Sequence, residues 1–325
     1  MRVVVDWACG EKTTWACQQY NGFLVICRRW ESVLLSLPRM RNKPRIAIVG
    51  AGNLAGALAV ALHRAGYVIE AVMGRTGASS RRRARQLARE VGAVELGVGS
   101  FRDTLTADLV WFCVPDSEIS KAAREAAHAR SWSHRIAFHS SGALASDELN
   151  PLRRAGAAVA SVHPLMTFVR GSRPPFAGVS FAVEGDTQAI RLARTIVNEL
   201  GGRAYPIRKR DKAAYHAWGT FVSPLFTALL VTSQRVASLA GAKGKSAKKR
   251  MIPILLQTLA NYASFEAGRA FSGPIIRGDV DTVRRHLRVL RQAPIARDVY
   301  RALATAALQY LPAKNKRELE RALAR

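Results

Sequence analysis

Acidic residues are scarce in this chain. Its 325 residues hold 23 Asp and Glu against 50 Lys and Arg, a formal net charge of +27. That charge admits nucleic acid or anionic surfaces as partners. Aromatics are also few, at 7% of the residues, and they do not alternate with the basic runs at 81–85 and 243–250. A base-stacking surface is therefore not indicated; the arginines read as solvated faces, and nucleic acid is not the expected partner. Only four cysteines occur (Cys9, Cys17, Cys27, Cys113), with neither metal-ligand pairing nor a disulfide framework. Long hydrophobic runs are missing too. The longest apolar segment, 221–231, is interrupted by Ser223, Pro224 and Thr227; it is too short to span a bilayer and reads as a buried helix. The first residues include Asp6 and Glu11 and lack the apolar core of a cleavable leader. These features predict a cytoplasmic protein with no membrane partner.

What is present divides into three parts. Residues 1–43 hold three of the four cysteines and three of the six tryptophans, without sustained periodicity. They read as an irregular extension, with Met40 as the expected native start. From residue 44 to 208, short apolar runs at 46–49, 68–73, 109–114, 136–139, 159–162 and 179–183 alternate with amphipathic stretches at 54–65, 80–91, 117–129, 146–155 and 187–200. This alternation predicts an α/β fold: a Rossmann-type parallel sheet covered on both faces. Residues 209–325 predict an all-α C-terminal domain, with helices at 211–240, 246–271, 279–292 and 294–311 and a charged tail beyond Pro312.

The strand at 46–49 runs into Gly50-Ala51-Gly52-Asn53-Leu54-Ala55-Gly56. Gly50 permits the tight turn, Gly52 lets the backbone approach a pyrophosphate, and Ala55 or Gly56 keeps the helix close to the strand. Strand, turn, helix and second strand fall where a dinucleotide site requires them. Glu70 has roughly the spacing of an NAD-type carboxylate, but the second strand ends later, at Gly74-Arg75-Thr76, with Arg81, Arg82 and Arg83 beyond. Arg75 suits adenine stacking and a 2′-phosphate, and Thr76 a further hydrogen bond, so NADP is the expected cofactor. Val114-Pro115-Asp116 closes the next strand beneath the cofactor, with Asp116 read as the N-cap of the helix that follows. His139-Ser140-Ser141-Gly142 and His163-Pro164 close the two strands after that.

The turn at 50–55, Val114-Pro115-Asp116, Ser141-Gly142 and His163-Pro164 together resemble pyrroline-5-carboxylate reductase-like Rossmann proteins. Lys212-Ala-Ala-Tyr215-His216 and the run Ser272-Gly273-Pro274-Ile-Ile-Arg277-Gly278-Asp279, with Thr282, His286 and Leu287, resemble bacterial Rossmann proteins carrying C-terminal domain of unknown function 2520. The resemblance covers about residues 44–310. It implies an NADP-type fold, a helical domain that forms a homodimer, and an oxidoreductase acting on a small molecule. One departure stands out. Relatives tend to carry Ser-Asn in the long helix, where this chain has Val222-Ser223-Pro224.

Hydride transfer asks the protein to place a carbon over the nicotinamide and to manage one proton. Lys212 and His216, four apart on a helix face, are the leading candidates, in a cleft between the domains. His163, and Ser141 as a holder of the carboxamide or a substrate carboxylate, are the others. His139 reads as pointing into the sheet or toward the site. Asp279 is expected to cap a helix, with Arg277 near it binding an anion or Asp279 itself. No metal is expected, since His163, His216 and His286 lack partners at ligand spacing. The reading is an NADP(H)-dependent oxidoreductase of small carbonyls or imines, with an NADP-binding regulator or sensor as its rival.

Overall fold

The computed structural model describes residues 15–20, 23–28, 43–75, 77–97, 106–129 and 131–324. Two strands form first, β1 (Trp15–Tyr20) and β2 (Phe23–Arg28), paired antiparallel with Tyr20 opposite Phe23. The extension read as irregular thus contains a hairpin.

The chain divides into two compact units, one of them Arg39–Ser223. Its strands are β3 (Ile46–Val49), β4 (Ile69–Gly74), β5 (Val94–Gly97), β6 (Leu109–Phe112), β7 (Ile136–His139), β8 (Ala158–Pro164), β9 (Ser180–Gly185) and β10 (Arg203–Pro206). Between them lie α1 (Asn53–Arg64), α2 (Ala78–Glu90), α3 (Asp116–Ala127), α4 (Asn150–Arg154) and α5 (Thr187–Glu199), and α6 (Lys212–Thr220) follows. The eight strands form one sheet in the order β10-β9-β8-β7-β6-β3-β4-β5. Alternation along β3 sends Ile46 and Ile48 into one core, and Ala47 and Val49 into the other. The sheet is therefore buried on both faces.

It is not wholly parallel. β9 runs antiparallel to β8, and β10 follows β9. A parallel return needs a crossover element; β8 reaches β9 through a helix-free loop and comes back antiparallel, whereas α5 carries β9 to a parallel β10. The edge strands β5 and β10 escaped the periodicity because both are part-exposed. The order reverses between β3 and β6, the point at which open α/β sheets bind ligands beyond their strand ends.

The second unit contains Pro224–Arg325. The boundary falls later than residue 208, so α6 belongs to the sheet unit. The long helix expected at 211–240 is interrupted by a π-helical segment, Phe221–Leu225, with Pro224 inside it. Proline removes a backbone donor and forces the ladder to widen or break. Beyond it come α7 (Phe226–Leu239), α8 (Gly244–Ser264), α9 (Ala267–Ala270), α10 (Pro274–Arg277), α11 (Val280–Val289), α12 (Pro294–Tyr310) and α13 (Lys316–Ala324). The charged tail is thus an amphipathic helix, α13, burying Leu319, Ala322 and Leu323. Asp279 caps α11 as expected, its carboxylate accepting from Thr282 N at 3.1 Å.

The segment 221–231 is not a buried helix. Phe221 is 69% exposed and Val231 57%, and α7 buries no residue. A helix apolar on several faces is covered either by its own chain or by a partner, and composition does not say which. Among the described residues no single helix is long and apolar enough to cross a membrane.

Candidate functional site

Two clusters, both within the sheet unit, gather the candidate residues. The first lies at the strand-order reversal. Gly50 has φ +117°, and a Cβ there would stand 2.3 Å from the Cys113 carbonyl oxygen, so only glycine fits. At Gly52 an added Cβ would meet nothing within 4 Å, leaving the backbone open to a ligand. A cavity of about 60 Å³ opens there, lined by Gly50, Gly52, Arg75, Val114 and Pro115, and also by Ser80, Arg83 and Cys113.

Arg75 donates its backbone N–H to Ser80 Oγ at 3.0 Å. Of the arginines on α2, Arg81 and Arg85 both pair with Glu95, at 3.8 and 3.7 Å. Neither Arg75 nor Arg83 has a carboxylate partner among the described residues. Thr76 lies outside them. Burial pushes the Cys113 thiol up to about 12, so it stays protonated.

Other turn residues do structural work. Asn53 Nδ2 donates to the Phe168 carbonyl at 3.1 Å, tying the turn to the loop after β8. Ala55 is fully buried against the sheet, and Leu54 packs on the same core. Glu70 receives Thr106 N and Oγ1 and pairs with Arg45 at 3.2 Å, so its carboxylate is spent inside the fold. Asp116 is not the cap of α3: Pro115 occupies the N-cap and Asp116 is the first helical residue, with no side-chain cap bond. Proline's fixed φ starts the helix, and the carboxylate faces the helix dipole instead.

The second cluster surrounds Ser141-Gly142, just past β7. Lys212 is fully buried, and Nζ donates to the Ser141 carbonyl at 3.0 Å and to Ser161 Oγ at 2.7 Å. Ser161 Oγ in turn donates to the Ser141 carbonyl at 3.3 Å. Burial lowers the Lys212 ammonium to about 8, opposed by the carboxylates of Glu184 and Asp116. The Ser141 hydroxyl faces its own loop, accepting from Ala143 N and Leu144 N.

His163 and His216 flank Gly142: a Cβ there would lie 2.9 Å from His163 Nε2 and 2.7 Å from His216 Cδ2. Their rings meet edge-on at 6.3 Å. His163 Nδ1 lies 2.8 Å from Tyr215 Oη. Burial, then the charge of Lys212, holds His163 down to about 3. His139 is fully buried, its Nε2 3.0 Å from the Ala145 carbonyl and its Nδ1 accepting from Ser141 N. It supports the loop from within.

The structure thus brings Lys212, His216, His163 and Ser141 together about one dipeptide. Ser161 was missed, although a serine inside an apolar strand is a readable signal. In the sequence, Arg83 reads as one of a run of arginines.

Comparison with known proteins agrees with this architecture. Residues 36–164 match a Rossmann-like domain, and residues 179–307 match a domain of unknown function, DUF2520. No curated protein matches the sequence. Among solved structures, one from Bacteroides fragilis, provisionally named an NADP oxidoreductase, is 22% identical with a TM-score of 0.69, over 81% of this chain and 97% of that one. A pyrroline-5-carboxylate reductase from Coxiella burnetii is 17% identical with a TM-score of 0.52, over 86% and 99%. A reductive aminase from Aspergillus terreus, in complex with NADPH and ethyl-5-oxohexanoate, is 13% identical with a TM-score of 0.57, over 82% and 94%. The chain combines a Rossmann-like domain with DUF2520, in the fold of these reductases.

Proposed function

We propose that this protein is an NADP(H)-dependent oxidoreductase acting on a small carbonyl or imine, with Lys212 as its proton donor. The observation that carries the reading is Lys212 itself, a fully buried lysine held by two neutral oxygens. Burying an ammonium without a directly paired carboxylate is costly, and a folded chain keeps such a group where chemistry uses it.

The first cluster fits a dinucleotide. Gly50 has no room for a side chain, Gly52 leaves its backbone open, and the cavity between them carries two guanidinium groups without carboxylate partners among the described residues. Gly50 and Gly52 would admit the pyrophosphate, and Arg75 with Arg83 would grip a 2′-phosphate. With Glu70 engaged by Thr106 and Arg45, no other carboxylate of this strand is free, among the described residues, to take a ribose hydroxyl in its place. NADP is favoured over NAD on that ground.

When bound, a reduced nicotinamide supplies hydride to the substrate carbon. Lys212 meets the remaining need. Two of its ammonium protons go to Ser141 O and Ser161 Oγ, and the third has no partner among the described residues. That proton passes to the oxygen or nitrogen that gains the electron pair, and a group lowered to about 8 gives it up near neutral pH.

We also assign the helical unit to homodimer formation. α8 buries only Ala247, and a groove of about 640 Å³ in the same unit is walled by Leu229, Val236, Phe271, Val289, Val299 and Leu303. Exposed apolar surface on this scale marks an interaction site.

The test is NADPH oxidation against a panel of carbonyls and imines. Lys212→Met is expected to retain NADPH binding within about threefold while turnover falls roughly 100- to 10,000-fold. Wild-type turnover should fall about tenfold per unit as pH rises above 8, as the ammonium is lost. NADPH binding with no turnover on any substrate would favour the sensor reading, to which the Val222-Ser223-Pro224 departure also points.

A further inference from the structure

We infer that Glu184 is a positioning residue for Lys212: from β9 it supplies the negative charge that keeps the buried ammonium protonated, without touching it. This rests on the function proposed above and assigns a role within that site.

A polar row crosses three adjacent strands of an otherwise apolar sheet. His139 on β7 stands opposite Ser161 on β8, and Ser161 stands opposite Glu184 on β9. All three are buried, at 0%, 0% and 5% exposure. They share one face, because their neighbours along the strands, Phe138, Ala160, Val162 and Val183, pack into the core of the other face. Lys212 meets the middle of this row, its Nζ 2.7 Å from Ser161 Oγ. Paired strands lie about 4.8 Å apart, so the main chain of Glu184 is one strand spacing from the serine that holds the ammonium. The antiparallel return of β9 is what sets Glu184 level with Ser161.

No cation pairs directly with this carboxylate among the described residues. Both its oxygens accept from Ser146, Oε1 from the backbone N–H at 2.6 Å and Oε2 from the hydroxyl at 2.9 Å. Ser146 opens the 3-10 turn Ser146–Leu149, so Glu184 also pins that turn. A glutamine would pin it equally well, accepting from the N–H through its amide oxygen and donating to the hydroxyl through its amide nitrogen. The turn therefore does not explain a charge. A carboxylate buried among neutral donors is costly, and so is an ammonium held by two neutral oxygens. Each accounts for the other, since opposite charges in a low-dielectric interior attract beyond contact distance.

The other groups around Lys212 leave this part to Glu184. His139 and His163 face it from β7 and β8, and burial keeps both neutral. His216 lies four residues further along α6. Asp116, at the start of α3, is the other carboxylate acting on Lys212. It is exposed, so solvent screens its charge, whereas Glu184 is buried and unscreened. A lysine buried with no opposite charge near it gives up its proton before neutral pH is reached. With Glu184 one strand away, Lys212 stays charged at neutral pH and has a proton to deliver.

The test uses the full chain labelled with 13C at the lysine ε-carbons. 1H–13C correlation spectra are recorded between pH 5.5 and pH 10 for wild type, Glu184→Gln and Ser146→Ala, with Lys212→Met for assignment. Wild-type Lys212 is expected to titrate at about 8, apart from the solvated lysines. Glu184→Gln should lower that midpoint by about one unit or more, while Ser146→Ala, which keeps the charge, should move it by less than about 0.3 unit. The falling limb of kcat should follow, with Glu184→Gln losing about tenfold at pH 9 and less than about threefold at pH 6. A purely structural role would lower kcat equally at both. A midpoint unmoved in Glu184→Gln overturns the assignment. Should that variant fail to fold, the wild-type midpoint decides: about 7 or higher supports the counter-charge, and a lower value overturns it. The titration needs neither cofactor nor substrate, so absence of turnover strikes the proposed function and an unmoved midpoint strikes this role.

Discussion

The sheet unit and the helical unit solve burial in opposite ways. Strands β3, β6 and β7 bury every residue, and the apolar side chains of the sheet sort into two closed cores. In the helical unit α7 buries none of its residues and α8 only one, while Ile254, Leu259 and Tyr262 are all more than half exposed. Its one closed core draws mainly on α11, α12 and α13. A unit that is finished within its own chain can hold fixed polar geometry, and the lysine, the histidines and the phosphate turn all lie there. A helix of 21 residues with one buried side chain gains little from its own chain, since packing supplies most helical stability in proteins.

The largest expected effect that would sharpen this contrast is acid lability confined to the sheet unit. His139 and His163 are held down to about 4 and about 3, from 6.5. Between pH 6.5 and pH 4 the unfolded chain takes up protons that the folded one refuses, so stability is lost as pH falls. Each histidine contributes about 1.4 kcal/mol per pH unit. Hydrogen exchange followed between pH 7 and pH 4.5 should show protection lost from β7 and β8 before α11 and α12. Equal loss in both units would break the comparison.

A smaller effect is expected at the helical face. Leu259→Glu places a charge on α8, where Leu259 is half exposed. It should weaken self-association on the order of tenfold, about 1.4 kcal/mol, while NADPH affinity changes less than about twofold. Light scattering at several concentrations reads the first quantity. A monomeric wild type would remove the dimer reading and leave that apolar face unexplained.

How far the sequence could be read follows the same divide. The Gly50–Gly56 turn was legible because a positive φ and an open backbone approach leave almost no residue but glycine. Lys212 was legible as a position on a helix, but its burial was not, because Ser161 reaches it from a strand 51 residues away. Asp116 misled: an acidic residue at a helix start fits the cap and the first turn equally, and the proline before it took the cap. The hairpin of β1 and β2 was passed over, although Asn21-Gly22 between them is a strong short-range hairpin signal. The apolar run at 221–231 was misread because hydrophobicity reports a need for cover and not its source. Arg83 could not be told from its neighbours, since only the fold reveals that Arg81 and Arg85 are committed to Glu95.

We propose that the reversal point of the sheet holds a phosphorylated dinucleotide through Gly50, Gly52, Arg75 and Arg83. Calorimetric titration of the full chain with NADPH and NADH tests it most directly. The account predicts that NADPH binds at least about tenfold more tightly, and that Arg83→Ala brings the two affinities together by weakening NADPH alone. Equal binding of both nucleotides by the wild type, or binding of neither, would contradict it.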